Sequence, residues 1–218
     1  MTPTQLSTVL FLAFVLVVML PVYRSRRQRG DKPLLSRFTG GEKEVPAPRR
    51  ERNGTKADLL IFASMVTKVV KQNKWFVIIP GYVAAGEERA ALSGIVITRR
   101  GVVAFKTYGF GGQIIVQAGE WQQQINGVTR PLPNLKEDCQ KQEAILTRVL
   151  EQCGLGHLPH WVCAVFTTDE TALPPSKDSM CFTKEGFVDY LLSPEHQEDA
   201  GLDPREIGHT LSARVVRQ

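Results

Sequence analysis

Between Leu92 and Ala118 the chain carries no acidic residue, and before Arg24 it carries no charged residue at all. The first absence removes from that stretch any carboxylate that could take a divalent cation, which prefers hard oxygen ligands. The second leaves the N-terminus as an apolar run with nothing basic ahead of it. Cysteine is scarce too. Cys139, Cys153, Cys163 and Cys181 include no Cys-x-x-Cys pair, which argues against a disulfide-stapled scaffold and for a reducing compartment. Nor does the folded part hold excess positive charge. Residues 24–56 contain eleven Lys/Arg against four Asp/Glu, whereas residues 57–218 contain 16 against 18. The overall +5 therefore belongs to one short segment, and a phosphate-binding footprint spread over a domain is not supported.

What is present first is a membrane span. Leu6–Tyr23 reads LSTVLFLAFVLVVMLPVY, and eighteen helical residues cover about 27 Å, enough for a bilayer core. Arg24, Arg26, Arg27, Arg29 and Lys32 follow at once, which by the positive-inside rule puts the C-terminal side in the cytoplasm. A cleaved leader would need a basic start and a small-residue cleavage site, and neither is there. Residues 1–5 are then a short non-cytoplasmic N-terminus and 6–23 the span. Residues 24–56, rich in Pro, Gly and charge, have a linker's composition. Their basic residues either lie on anionic lipid or are simply solvated.

Residues 57–192 read as an α/β domain. Asp58–Val70 has apolar residues at helical spacing; Trp75–Ile79 is a short apolar strand closed by Pro80-Gly81; residues 84–90 are polar and read as a loop. Leu92–Thr98 and Val102–Thr107 form a hairpin around Arg99-Arg100-Gly101. Gly109–Gly112 leads to a strand over Gln113–Ala118, and Asn126-Gly127 joins Trp121–Ile125 to Thr129–Leu132 as a tight hairpin. Leu135–Cys153 is a helix with Leu135, Cys139, Gln142, Leu146, Val149 and Leu150 on one face. Trp161–Thr167 is a buried strand and Lys184–Leu192 a short helix. Residues 193–218 are polar and weakly patterned. This order predicts a mixed sheet covered by helices.

The stretch GVVAFKTYGFGGQI from Gly101, with Trp121 after it and Asn134 opening a helix, resembles the core of the nuclease-related (NERD) domain. There a strand E-I-D-H-V-V-V runs into G-V-F-V-I-E-T-K-N-Y-x-G-x-I, then a tryptophan, then N-P-x-x-Q. Ala91–Ile97 takes the first motif, and Gly54–Asp58 (GTKAD) stands where the family has G-x-x-G-E. The resemblance spans residues 54–192. It implies a restriction-endonuclease-like mixed sheet flanked by helices, with a divalent metal held by an Asp on one strand and a Glu on the next. A Lys two residues beyond the Glu positions or activates the attacking water.

This chain departs at all three positions: the Asp is Ser93, the Glu is Lys106 and the Lys is Tyr108, leaving Asp58 as the one acid carried over. An ammonium offers no lone pair and repels the cation. A shifted register does not help, because the hairpin holds no Asp/Glu-x-Lys. Glu87 and Glu88 in the preceding loop fit a solvated face better than a catalytic pair. The resemblance thus implies a catalytically inactive, membrane-tethered binding or scaffold module with a protein partner. Its alternative is a nuclease using Mg²⁺ through acids from elsewhere, or a protein that binds nucleic acid without cutting it.

Two further motifs carry bland readings. Cys153, His157, His160 and Cys163 are all zinc-capable, but the spacing is compressed and Cys163 falls in a strand where a buried thiol is ordinary. Gly109–Gly112 lacks the Lys-Ser/Thr and following helix of a phosphate loop. Trp121 and Trp161 read as core or half-buried residues.

Overall fold

The computed structural model describes residues 52–174 and 180–216. The span expected over 6–23 and most of the linker lie outside the described residues. Among those described, no helix is long and apolar enough to cross a membrane. The described residues belong to one unit, Pro48–Gln218.

Helix α1 (Lys56–Gln72) starts at Thr55, whose side chain takes the Asp58 N–H while Asp58 reaches back to the Thr55 N–H. This reciprocal cap satisfies two of the donors that a helix start leaves free. Phe62, Val66, Val69 and Val70 form its buried face, at spacings that put them on one side of the helix.

Four strands follow in the order β1 (Phe76–Ile78), β2 (Gly81–Ala85), β3 (Glu88–Leu92) and β4 (Gly94–Ile97). β5 (Val102–Tyr108), β6 (Gly112–Gln117), β7 (Glu120–Ile125) and β8 (Val128–Leu132) come next. Helix α2 (Leu135–Gln152), capped by Asn134, leads to β9 (His160–Phe166), β10 (Thr171–Ala172) and β11 (Cys181–Thr183). The chain closes with helices α3 (Lys184–Leu191), α4 (Pro194–Gln197) and α5 (Pro204–Ser212).

The central sheet runs β1-β4-β5-β9-β11. β1, β4 and β5 are antiparallel neighbours, whereas β5, β9 and β11 are parallel. Its two faces bury two cores. On one, α1 and α3 cover Val96, Val103, Phe105, Cys163 and Val165, with Phe62 edge-on to Phe105 at 5.4 Å. On the other, α2 and the β2–β3 hairpin cover Ile95, Ile97, Val102, Ala104 and Val162. A sheet buried on both faces explains why β5 and β9 read as continuous apolar runs without alternation. The architecture is therefore α/β, with mixed sheets flanked by helices.

The tight Asn126-Gly127 connection joins β7 and β8 with both residues at positive φ, 50° and 76°, as a two-residue hairpin turn requires. Gly109–Gly112 is a strand connection between β5 and β6. Trp121 is buried and Trp161 half-buried.

Four stretches differ from the sequence expectation. Between Thr167 and Lys184, where no strand was expected, β10 and β11 form, and β11 closes one edge of the central sheet. Residues 84–90, expected as a loop, lie mostly in the β2–β3 hairpin, which turns at Gly86 and Glu87. The polar tail beyond residue 193 carries α4 and α5, and α5 sends Ile207 and Leu211 into the α2-side core. The end of the linker is tied down as well. Arg52 pairs with Asp58, Asn53 takes the Gln123 side-chain amide, and the Gly54 N–H bonds to Gly109.

Candidate functional site

On β5 the side chains alternate: Val102 and Ala104 face α2, Val103 and Phe105 face α1. Continuing that period of two carries Lys106 and Tyr108 to the α2 side, where Asp138 waits one turn into the helix. Lys106 Nζ donates to Asp138 Oδ2 at 2.6 Å, and the Tyr108 hydroxyl donates to the same oxygen at 2.6 Å. Gln142, one turn further along, donates to Oδ1 at 3.3 Å and accepts the Ala91 N–H at 2.8 Å. One carboxylate thus ties β5 to α2, and its amide neighbour ties α2 to the start of β4 through β3.

The electrostatics follow from partial burial. The Lys106 and Asp138 side chains are each 26% exposed. Burial alone would push the Asp138 carboxyl up, but hydrogen bonds from Lys106 and Tyr108 outweigh it and hold the group below its ordinary value. Its place in the first turn of α2 favours the anion as well. Burial and the hydrogen bond to Asp138 push the Tyr108 phenol well up. The flanking thiols are raised by burial, Cys139 to about 12 and Cys181 to about 11. These are protonated thiols, not nucleophilic thiolates.

Ser93 stands just before β4, next to the Gly94–Phe105 pair, and its side chain is engaged with Thr107 rather than with Asp138. Its N–H bonds to the Phe105 carbonyl, its hydroxyl accepts the Thr107 N–H at 2.9 Å, and it shares a 2.8 Å bond with the Thr107 hydroxyl. The hydroxyl is thereby used to splice β4 onto β5.

Asp58 is engaged elsewhere. It is buried at the head of α1, accepting Thr55 N–H at 2.6 Å, Thr55 hydroxyl at 2.8 Å and Arg52 at 3.0 and 3.3 Å. The Arg52 guanidinium holds its carboxyl far below the usual range. So the fold puts Lys106 and Tyr108 on the α2 face with Asp138, leaves Ser93 just before β4 bonded to Thr107, and uses Asp58 as a helix cap at the start of α1.

The zinc-capable four are not gathered. Cys153 packs into the α2-side core and Cys163 into the α1-side core, across the sheet. His160 bonds to Thr147 and to the Leu158 carbonyl, and His157 is exposed. Glu87 lies in the β2–β3 turn and Glu88 pairs with Arg148. Among the described residues no three His, Cys, Asp or Glu side chains cluster as a metal site.

Asp138 is the member that sequence reasoning missed. Its signal was indirect: Gln142 sits on the otherwise apolar stripe of α2, and a polar residue there asks for a buried partner. Asp138 is its i−4 neighbour, on the same face. Chemically the cluster is a carboxylate with three donors on it, Lys106 and Tyr108 on Oδ2 and Gln142 on Oδ1. A divalent ion could take Asp138 only by displacing the ammonium. In comparison with known proteins, no family model, no curated protein and no solved structure matches the chain.

Proposed function

We propose that this chain is a membrane-tethered NERD-type domain with a restriction-endonuclease-like sheet, held on the cytoplasmic side by the span at 6–23. In this reading the metal-dependent site has given way to an internal ion pair, and the domain acts as a binding or scaffold module for a protein partner. The motif spacing over residues 54–192 supports the family, and the arginines after Tyr23 support the orientation.

The observation that carries the loss of catalysis is the Lys106–Asp138 contact at 2.6 Å. Lys106 stands where the family's glutamate would ligate the metal, so a tethered cation sits in the place a mobile one would need. The nearest carboxylate, Asp138, already takes Lys106 and Tyr108 on one oxygen and Gln142 on the other. Neither Tyr108 nor Cys139 is poised to give up its proton near neutral pH.

The test is direct. The purified full chain in detergent, given Mg²⁺ or Mn²⁺, should leave single- and double-stranded DNA and RNA intact, and neither metal should raise its melting temperature. Metal-dependent cleavage that disappears in Asp138→Asn or Asp58→Ala would establish the nuclease alternative instead. Retention of nucleic acid without cleavage would point to the binding alternative.

A further inference from the structure

The outer face of α1 sets exposed aliphatics among basic residues. Leu59, Leu60 and Ile61 are 42%, 64% and 50% exposed, three consecutive large aliphatic side chains in its second turn. A helix on a globular surface normally turns such residues inward; Leu59, three residues before Phe62 and seven before Val66, lies at the exposed end of that inward stripe, whereas Leu60 and Ile61 point outward. Lys56, Leu60, Ser64, Lys68 and Lys71 recur at intervals of three and four, which places them on one face. All five are exposed. None of the three lysines makes an ion pair among the described residues, and the helix's one acid, Asp58, is buried against Arg52. Positive charge and exposed aliphatics on one helical face are the chemistry of a helix that lies on an anionic lipid surface.

We propose that α1 docks the domain flat on the anionic leaflet of the membrane in which the chain is anchored, Leu60 and Ile61 entering the interface and Lys56, Lys68 and Lys71 meeting lipid phosphates and carboxylates. The occupant follows from charge and from position in the chain. Residues 24–56 separate the apolar run from α1. Even fully extended they span no more than about 120 Å, so the helix is confined near a bilayer whenever the run is inserted. The same segment carries eleven Lys/Arg against four Asp/Glu, matching the charge on α1. The neighbouring helix α3, which meets α1 through Phe62 and Phe187 at 5.8 Å, exposes Glu185 and Asp189. Those acids confine the contact to α1 and set its edge. Docking would leave the Lys106 cluster, on the opposite side of the central sheet, facing away from lipid.

The inference rests on the tethered reading, and the experiment separates the two. The full chain, with a benzophenone amino acid in place of Leu60, is reconstituted into vesicles of phosphatidylcholine alone or with added phosphatidylserine. It is then irradiated and its adducts are weighed. A second sample carries the probe in place of Val128, an exposed aliphatic on β8. Lipid adducts should form at position 60, rise with phosphatidylserine, and exceed those at position 128. Each of Lys56→Gln, Lys68→Gln and Lys71→Gln should lower the docked-to-free ratio about fivefold, and the triple variant about a hundredfold. A chain that stays out of the vesicles would remove the tether itself. A tethered chain whose position 60 gives no more lipid adduct than position 128, or the same yield in both vesicle types, overturns the docking. So does an adduct only to a second copy or to residues 6–23.

Discussion

The Tyr108 hydroxyl and Lys106 Nζ converge on a single oxygen, Asp138 Oδ2, each at 2.6 Å. Two residues spaced i and i+2 on one strand face reach one helix residue, so the contact fixes how α2 lies on the central sheet. A carboxylate accepting a charged and a neutral donor in a half-buried place is stronger than a surface pair, by the logic that charge-assisted bonds gain where water is scarce. The cluster is therefore a structural clamp first, and its consequences are measurable.

Asp138→Asn keeps the shape but removes the charge, leaving the ammonium half-buried without its anion. The expected loss is about 1–3 kcal/mol, in the range of a hydrogen bond to a charged group, read as a lower thermal midpoint at neutral pH. The folded carboxyl titrates below its unfolded value of 3.8. Its stabilisation is therefore fully present above that pH and fades as the pH falls through the folded value. Wild type and Asp138→Asn should converge in stability under strongly acidic conditions. A constant gap from neutral to acid pH would contradict the clamp.

How much of this the sequence disclosed depends on the range of the interaction. The hairpin around Asn126-Gly127 and the strand Val102–Thr107 were legible because turn chemistry and apolar runs are local. The β2–β3 hairpin was hidden by its composition: its cross-strand pairs, such as Val83 with Ala90 and Ala85 with Glu88, are small or charged and give little β signal. Helix α5 was hidden because Ile207 and Leu211 are the sole large apolar residues on a nine-residue element, too few for a period to stand out. The Lys106–Asp138 contact joins residues 32 apart in sequence, and no local pattern announces it.

Helix α5 should matter to the whole domain. Leu211 is fully buried and Ile207 nearly so, both in the α2-side core. Leu211→Ala should destabilise by about 2–5 kcal/mol, the range for emptying a packed leucine site, whereas Arg205→Ala on the exposed face should change little. Removing residues after 203 should make the remaining chain protease-sensitive inside β1, against which Gly208 packs closely at Phe76. A truncated chain as resistant as the intact one would return α5 to the status of a tail.

His196 gives the protein a pH dependence of its own. It is fully buried, neither ring nitrogen has a hydrogen-bond partner among the described residues, and Trp161 and Tyr190 stand edge-on to it at 5.4 and 4.7 Å. Burial lowers its pKa below 6.5, with Glu195 opposing and Arg100 adding to the shift. The unfolded chain thus binds the proton first, so stability is whole above pH 6.5 and declines as the pH drops below it. The thermal midpoint should fall between pH 7 and pH 5, and His196→Phe should flatten that slope while keeping the ring packing. An equal slope in the variant would place the titration on another group.

Lys106→Glu isolates what the ion pair does at the position that the proposed family reading assigns to a metal ligand. It replaces a cation with an anion beside Asp138, and two like charges at about 4 Å repel by roughly 4 kcal/mol at an effective dielectric near 20. The variant should therefore melt well below wild type at neutral pH. Lowering the pH should recover part of the loss, because one carboxyl can then hold a proton between the pair. Mn²⁺ or Mg²⁺ should recover part of it too, since two adjacent carboxylates now offer hard oxygens to a divalent ion. The wild type should show no such metal response. Cleavage should still be absent, because the other two positions that the proposed nuclease-type reading assigns to the reaction remain Ser93 and Tyr108, with the Ser93 hydroxyl committed to Thr107. Metal-induced stabilisation without cleavage is the expected signature. A variant as stable as wild type and indifferent to metal would mean that Lys106 and Asp138 do not face each other as described, and the account of the site would fall with it.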